Sequence, residues 1–88
     1  ISTMLPNPDA TTQSNGDYLK KQKDYQSVLY EIAAGYDGIS VADVTAVHEH
    51  LLSRKDYCDM TGNNINHPND FLIRIYTQVI LSNLIENI

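Results

Sequence analysis

The stretch from Pro68 to Ile88 constrains this chain more than any other. Leu72, Ile75, Tyr76, Val79, Ile80, Leu84 and Ile88 recur at helical spacing, and Ile73, Leu81 and Ile85 widen the apolar arc. What remains polar is a thin stripe of Asp70, Arg74, Gln78, Ser82 and Glu86, every fourth residue. A helix with so narrow a polar face has to be covered on most of its sides. Its start is also legible. Pro68 suits the first helical position, where its missing N–H would be unpaired anyway. Asn66 or His67 falls at the N-cap, and Asp70 lies in the first turn, where negative charge suits the helix dipole.

The rest of the chain supplies part of that cover. Residues 17–35 read as an amphipathic helix, with Tyr18, Tyr25, Val28, Leu29 and Ile32 on its core side. Asn15 or Asp17 caps its start and Gly35 stops it. Residues 39–43 alternate apolar and small polar side chains and read as a short strand. Asp43 then caps a second helix over 44–54, with Val44, Val47, Leu51 and Leu52 facing inward. Residues 1–16 read as an extended segment, Ile1 to Leu5, followed by a polar loop that Pro6 and Pro8 keep irregular. Residues 56–67 form a second loop, which carries His67 into the helix over 68–88. Strand and helix alternate, which favours parallel pairing in a layered arrangement. The expectation is an α/β fragment: about three helices with one or two short strands, a single partial domain over 1–88 that lacks the central sheet.

Composition narrows the partners. Eighty-eight residues carry a net charge of −5, and the few basic residues are scattered apart from Lys20, Lys21 and Lys23. Nucleic acid is disfavoured, because binding phosphate needs a concentrated positive surface. The lysine cluster reads as a solvated helix face. Cys58 is the single cysteine and has no internal disulfide partner, so the compartment stays open. Ile1 to Pro8 has neither the basic region nor the apolar core of a signal peptide, and position 1 is not Met, as expected of a processed or excised chain. No apolar run is long enough to span a membrane. His48, Glu49 and His50 suggest a metal site at first sight. Residues two apart on a helix point to nearly opposite sides, so ordinary helix-surface positions are expected instead, with no metal or cofactor.

His67 is the residue on which chemistry centres. On residue type and position it is either a general base or a histidine that braces a loop. The segment Gly62-Asn63-Asn64-Ile65-Asn66-His67-Pro68-Asn69-Asp70-Phe71, followed by Arg74, Tyr76 and Leu81, resembles the last conserved block of the SGNH (GDSL-type) ester hydrolases. Ile1 to Pro8 resembles a late core strand of that family with its loop, and Ile39 to Val44 the short strand before the penultimate helix. The resemblance covers most of these residues, but only about the C-terminal third of such an enzyme.

It implies the end of a flavodoxin-like three-layer domain, with His67 as the base of a Ser-His-Asp arrangement. The family places its acid three residues before the histidine, and here that position holds Asn64. An amide cannot stabilise an imidazolium as a carboxylate does. Asp59, the nearest upstream carboxylate of the loop, is the second candidate, whereas Asp70 reads as a first-turn dipole residue. Orientation by a backbone carbonyl, or by Asn64 itself, is the remaining choice.

The chain contains neither Gly-x-Ser-x-Gly nor Gly-Asp-Ser, and Gly16-Asp17 leads into Tyr18. The nucleophile and oxyanion donors of the family lie in earlier blocks. Alone, the chain is therefore expected to be inactive, since the largest electrostatic contribution to acyl transfer is missing. The resemblance implies an acetylated carbohydrate or a lipid acyl ester as substrate, and the remainder of its own hydrolase domain as partner. The alternative expectation is a non-catalytic three-helix module that binds a partner through the apolar face of its last helix.

Overall fold

A computed structural model describes residues 1–8 and 15–85, the side chains of 15–18 excepted. The expected loop at 9–14, the capping side chains of Asn15 and Asp17, the Tyr18 ring, and Glu86 and Ile88 at the chain end lie outside the described residues. Three helices follow in order: α1 over Asn15–Ala34, α2 over Val44–Leu51 and α3 over Asp70–Ile85. A 3-10 turn, Tyr57–Asp59, lies between α2 and α3. None of these helices is long and apolar enough to cross a membrane.

Each helix falls within a few residues of its expected span, but the α/β expectation is not met. Among the described residues there is no strand, only an isolated parallel bridge between Ser2 and Asp43 and an antiparallel one between Thr61 and Pro68. The molecule is a small three-helix globule. The reason lies in where the backbone hydrogen bonds of residues 2–7 go. Ser2 N–H reaches Ala42 O and Asn7 N–H reaches Ile65 O, two isolated backbone-to-backbone bonds to different partners. Between them, Met4 N–H donates to the Tyr76 hydroxyl at 2.7 Å and Leu5 N–H to Nδ1 of His48 at 2.9 Å. The Tyr57 hydroxyl donates to Pro6 O, and the Thr45 hydroxyl to Thr3 O. Side chains on the helices thus take the groups that a neighbouring strand would have paired, and a buried backbone is satisfied without a sheet.

The core is small and sits where this N-terminal segment passes between α2 and α3. Met4, Met60 and Leu72 are buried together, with Leu51, Leu52, Phe71, Ile75 and Tyr76 packed against them. Helix α2 starts as read, with the Asp43 carboxylate accepting Ala46 N–H at 3.0 Å. Helix α3 starts later than read. Asn69, not Asn66 or His67, is its cap: its Oδ1 accepts Leu72 N–H at 3.1 Å, and Pro68 stands outside the helix in the Thr61 bridge.

Two apolar faces remain open. On α1, Tyr25 is 63% exposed, and Val28 and Ile32 are also at the surface, although their spacing places them in a core. Helix α1 is held instead by polar side chains: Gln26 and Tyr30 donate to Asp43, Gln22 donates to Thr3 and Lys23 pairs with Glu49. On α3 only Leu72 is fully buried, and Ile73, Ile80, Leu81, Leu84 and Ile85 face outward.

Candidate functional site

The loop over 61–69 owes its shape to Asn63. Its Oδ1 accepts the backbone N–H groups of Ile65, Asn66 and His67 at 2.9, 3.0 and 3.1 Å. Side-chain capping of this kind is what asparagine does well in turns. Gly62 N–H closes the loop by donating to His67 O at 2.8 Å, and Asn69 N–H donates to Met60 O. The loop is also tied to the N-terminal segment, since Asn7 N–H donates to Ile65 O at 2.8 Å.

His67 stands on this frame with its ring exposed. Its Nδ1 lies 2.6 Å from Asn66 Oδ1 and 2.8 Å from Asn63 Nδ2. Among the described residues, Nε2 has no hydrogen-bond partner. One ring nitrogen is thus engaged by amides, on a residue that is exposed as a whole.

Neither candidate for the partner of that ring, the Asn64 amide or the Asp59 carboxylate, is hydrogen-bonded to it among the described residues. Asn64 turns away at φ 59°, a left-handed conformation that asparagine tolerates better than most residues. Its main-chain and side-chain oxygens accept from Asn7 Nδ2 at 3.0 and 3.4 Å. The Asp59 carboxylate accepts Asp56 N–H at 3.2 Å within the 3-10 turn. Asp56, Cys58 and Asp59 converge there, all exposed, with ligand-type atoms within 4.8 Å of one another. The residues beside the ring, Asn63 and Asn66, were missed in the sequence. The available signal was the density of asparagine immediately before the histidine.

His48 is a second departure. It is not on the helix surface but fully buried, unlike His50, which is exposed. Its position four residues after Val44 and four before Leu52 puts it on the inward stripe of α2. Its Nδ1 accepts Leu5 N–H, so the neutral ring carries its proton on Nε2, which is buried and, among the described residues, has no hydrogen-bond partner. The ring lies edge-on to Tyr57, with centroids 5.6 Å apart. Burial pushes its pKa down to about 4.

A cleft of about 560 Å³ opens beside the loop. Thr3, Pro6, Gln22, Tyr25, Asn66 and Tyr76 are among the residues lining it. Asn66 is therefore shared between the cleft and the His67 ring. Burial raises the pKa of the Tyr76 hydroxyl, and the hydrogen bond from Met4 N–H offsets only part of this. The hydroxyl is a neutral wall group rather than a base. No protein-family model, curated protein or solved structure matches this chain.

Proposed function

We propose that this chain supplies the general base of a serine ester hydrolase of the SGNH type, with His67 in that role and the nucleophilic serine and oxyanion donors on a separate polypeptide segment. The supporting observation is the state of His67: exposed, and held through Nδ1 beside Asn66, a residue that also lines the cleft. In such a site Nε2 takes the serine proton as the hydroxyl oxygen attacks the ester carbonyl. It returns that proton to the departing alkoxide. A water then repeats the cycle on the acyl-serine. Of the two ester classes, an acylated carbohydrate suits the cleft better, because the exposed Tyr25 ring stands there beside the polar Gln22 and Thr3.

The open faces of α1 and α3 suit a chain that packs against the segment carrying the serine. The same outward Ile73, Ile80, Leu81, Leu84 and Ile85 favour a second reading, a non-catalytic three-helix module that binds a partner through α3. One experiment separates the two. The whole encoding reading frame is expressed and assayed on acetyl and long-chain esters beside a His67→Ala variant. The hydrolase reading expects turnover that falls roughly 10²- to 10⁴-fold in the variant, the usual scale for losing a general base. Equal turnover in both proteins, or none in either, sinks it.

A further inference from the structure

We infer that His48 is an acid-sensitive catch on the N-terminal segment: a second proton on its ring releases residues 4–7, and with them one wall of the cleft and a tie to the His67 loop. That this release regulates a hydrolytic site rests on the reading above, whereas the release itself can be measured without it.

Residues 2–7 carry no ionisable side chain and are held by those of their neighbours. The Thr45 hydroxyl donates to Thr3 O, the Tyr57 hydroxyl donates to Pro6 O, and the Tyr76 hydroxyl receives Met4 N–H. Threonine and tyrosine hydroxyls do not change charge between neutral pH and the carboxylate range. Asp43 accepts the Ser2 hydroxyl. Burial alone would raise its carboxyl, but the hydrogen bonds it accepts hold it below the ordinary carboxylate value. Among the described residues, the tie that falling pH reaches first is therefore Leu5 N–H to Nδ1 of His48.

The neutral ring accepts at Nδ1 and keeps its one proton on the buried Nε2, which has no acceptor among the described residues. A second proton turns Nδ1 into a donor that faces the Leu5 N–H. The closed chain would then bury two ring N–H groups and a positive charge without an acceptor. No charged side chain offsets this, and burial pushes the ring pKa down to about 4. Tyr57 meets the ring edge to face, and Glu49 and His50 of α2 and Asp70 of α3 are exposed. Release gives both nitrogens to water, so acid favours the open form. Met4 and Pro6 line the cleft together with Asn66 and Tyr76. Asn7 donates its N–H to Ile65 O and its Nδ2 to Asn64 O in the His67 loop. The cleft and its loop are thus assembled at neutral pH and come apart in acid.

The test is amide hydrogen exchange by NMR on this chain at about pH 7.5 and about pH 5, corrected for the intrinsic effect of pH on exchange. With the ring at about 4 when closed and 6.5 when open, the opening equilibrium at the Met4, Leu5 and Asn7 amides should rise roughly 30-fold between those conditions. At both pH values these amides should open more readily than those of Ile75 and Tyr76 in α3, because the segment leaves before the fold does. In His48→Asn, which cannot titrate, the rise should be largely gone. The parent chain carries the test by itself if that variant fails to fold. An opening equilibrium in the parent that does not move with pH overturns the inference. So does an equal rise in a folded His48→Asn, or a segment that opens only together with α3. If the segment is released as expected and the whole frame has no esterase activity at neutral pH, the hydrolase reading falls alone.

Discussion

The backbone N–H of Leu5 donates to Nδ1 of His48 at 2.9 Å and joins residues 43 positions apart inside the core. The bond requires a neutral ring, because an imidazolium has no lone pair to offer. The same short segment gives Met4 N–H to Tyr76 and Asn7 N–H to the His67 loop. The packing of α2, the seat of α3 and the loop geometry therefore all pass through residues 4–7.

Stability should follow pH through His48. The folded pKa is about 4 against an ordinary value of 6.5, so between those values the unfolded chain binds a proton that the native one refuses. The contribution is complete above pH 6.5 and is lost as pH falls toward 4, by roughly 3 kcal/mol at most. Denaturant titrations at about pH 7, 5.5 and 4.5 should show that decline. His48→Asn keeps an acceptor near the Nδ1 position and cannot titrate, so its curve should be flatter across the same window. An equally steep decline in the variant would mean that other groups carry the acid sensitivity.

Asp43 should behave as the hinge of α1. Burial alone would push its carboxyl up, but hydrogen bonds from Tyr30, Ala46 N–H, Gln26 and Ser2 together outweigh burial and hold its pKa below the ordinary value. The stability it provides is present at neutral pH and lost as pH falls through that depressed value. Asp43→Ala removes the α2 cap, at about 1 kcal/mol, together with the tethers from Gln26 and Tyr30. Hydrogen exchange should quicken more in α1 than in α3. The Tyr30 hydroxyl, whose pKa the Asp43 hydrogen bond raises, should ionise at lower pH in Asp43→Asn.

How much of this was legible in the sequence follows from the kind of signal each element gives. Periodicity and caps are local, so the three helices and the Asp43 cap could be read. The strand expectation at 39–43 rested on alternation, which states what a segment can do and not whether a neighbour exists to pair with it. Here the Tyr76 hydroxyl and His48 Nδ1 take the N–H groups of Met4 and Leu5, and nothing local announces a side chain arriving from position 48 or 76. Tyr25, Val28 and Ile32 have core spacing, but a core built on Met4, Met60 and Leu72 does not reach them. The His67 loop was visible as a loop, whereas Asn63 as its organiser emerges only once three N–H groups are seen converging on one oxygen.

The two ends of α3 should respond very differently to truncation. Leu72 is fully buried against Met4 and Met60, whereas Leu84 is 75% exposed. Leu72→Ala should cost roughly 2–5 kcal/mol, enough to unfold much of a domain this small. Leu84→Ala should stay within about 0.5 kcal/mol. Thermal or denaturant unfolding of the isolated chain measures both. A large loss at Leu84 would place that residue in a core formed by self-association, and the loss should then depend on protein concentration.

Asn63 and Asn64 are adjacent and chemically identical, and the loop assigns them opposite duties. Asn63 is needed for its side chain, whose oxygen gathers three backbone N–H groups. Asn64 is needed first for its backbone, at φ 59°, and only then for the contact its oxygens make with Asn7. Asn63→Ala leaves those N–H groups to water, so the amides of Ile65, Asn66 and His67 should exchange markedly faster, at a cost of about 1–2 kcal/mol in local stability. Asn64→Gly keeps the left-handed geometry without strain, and Asn7 can still donate to the main-chain oxygen of residue 64, so exchange at those amides should change little. Asn64→Val keeps neither the side-chain oxygen nor an easy left-handed backbone, and should destabilise the loop as Asn63→Ala does. If Asn64→Gly loosened the loop as much as Asn63→Ala, the side chain of Asn64 would be bracing the histidine, and Asn63 would lose its place as organiser of the site.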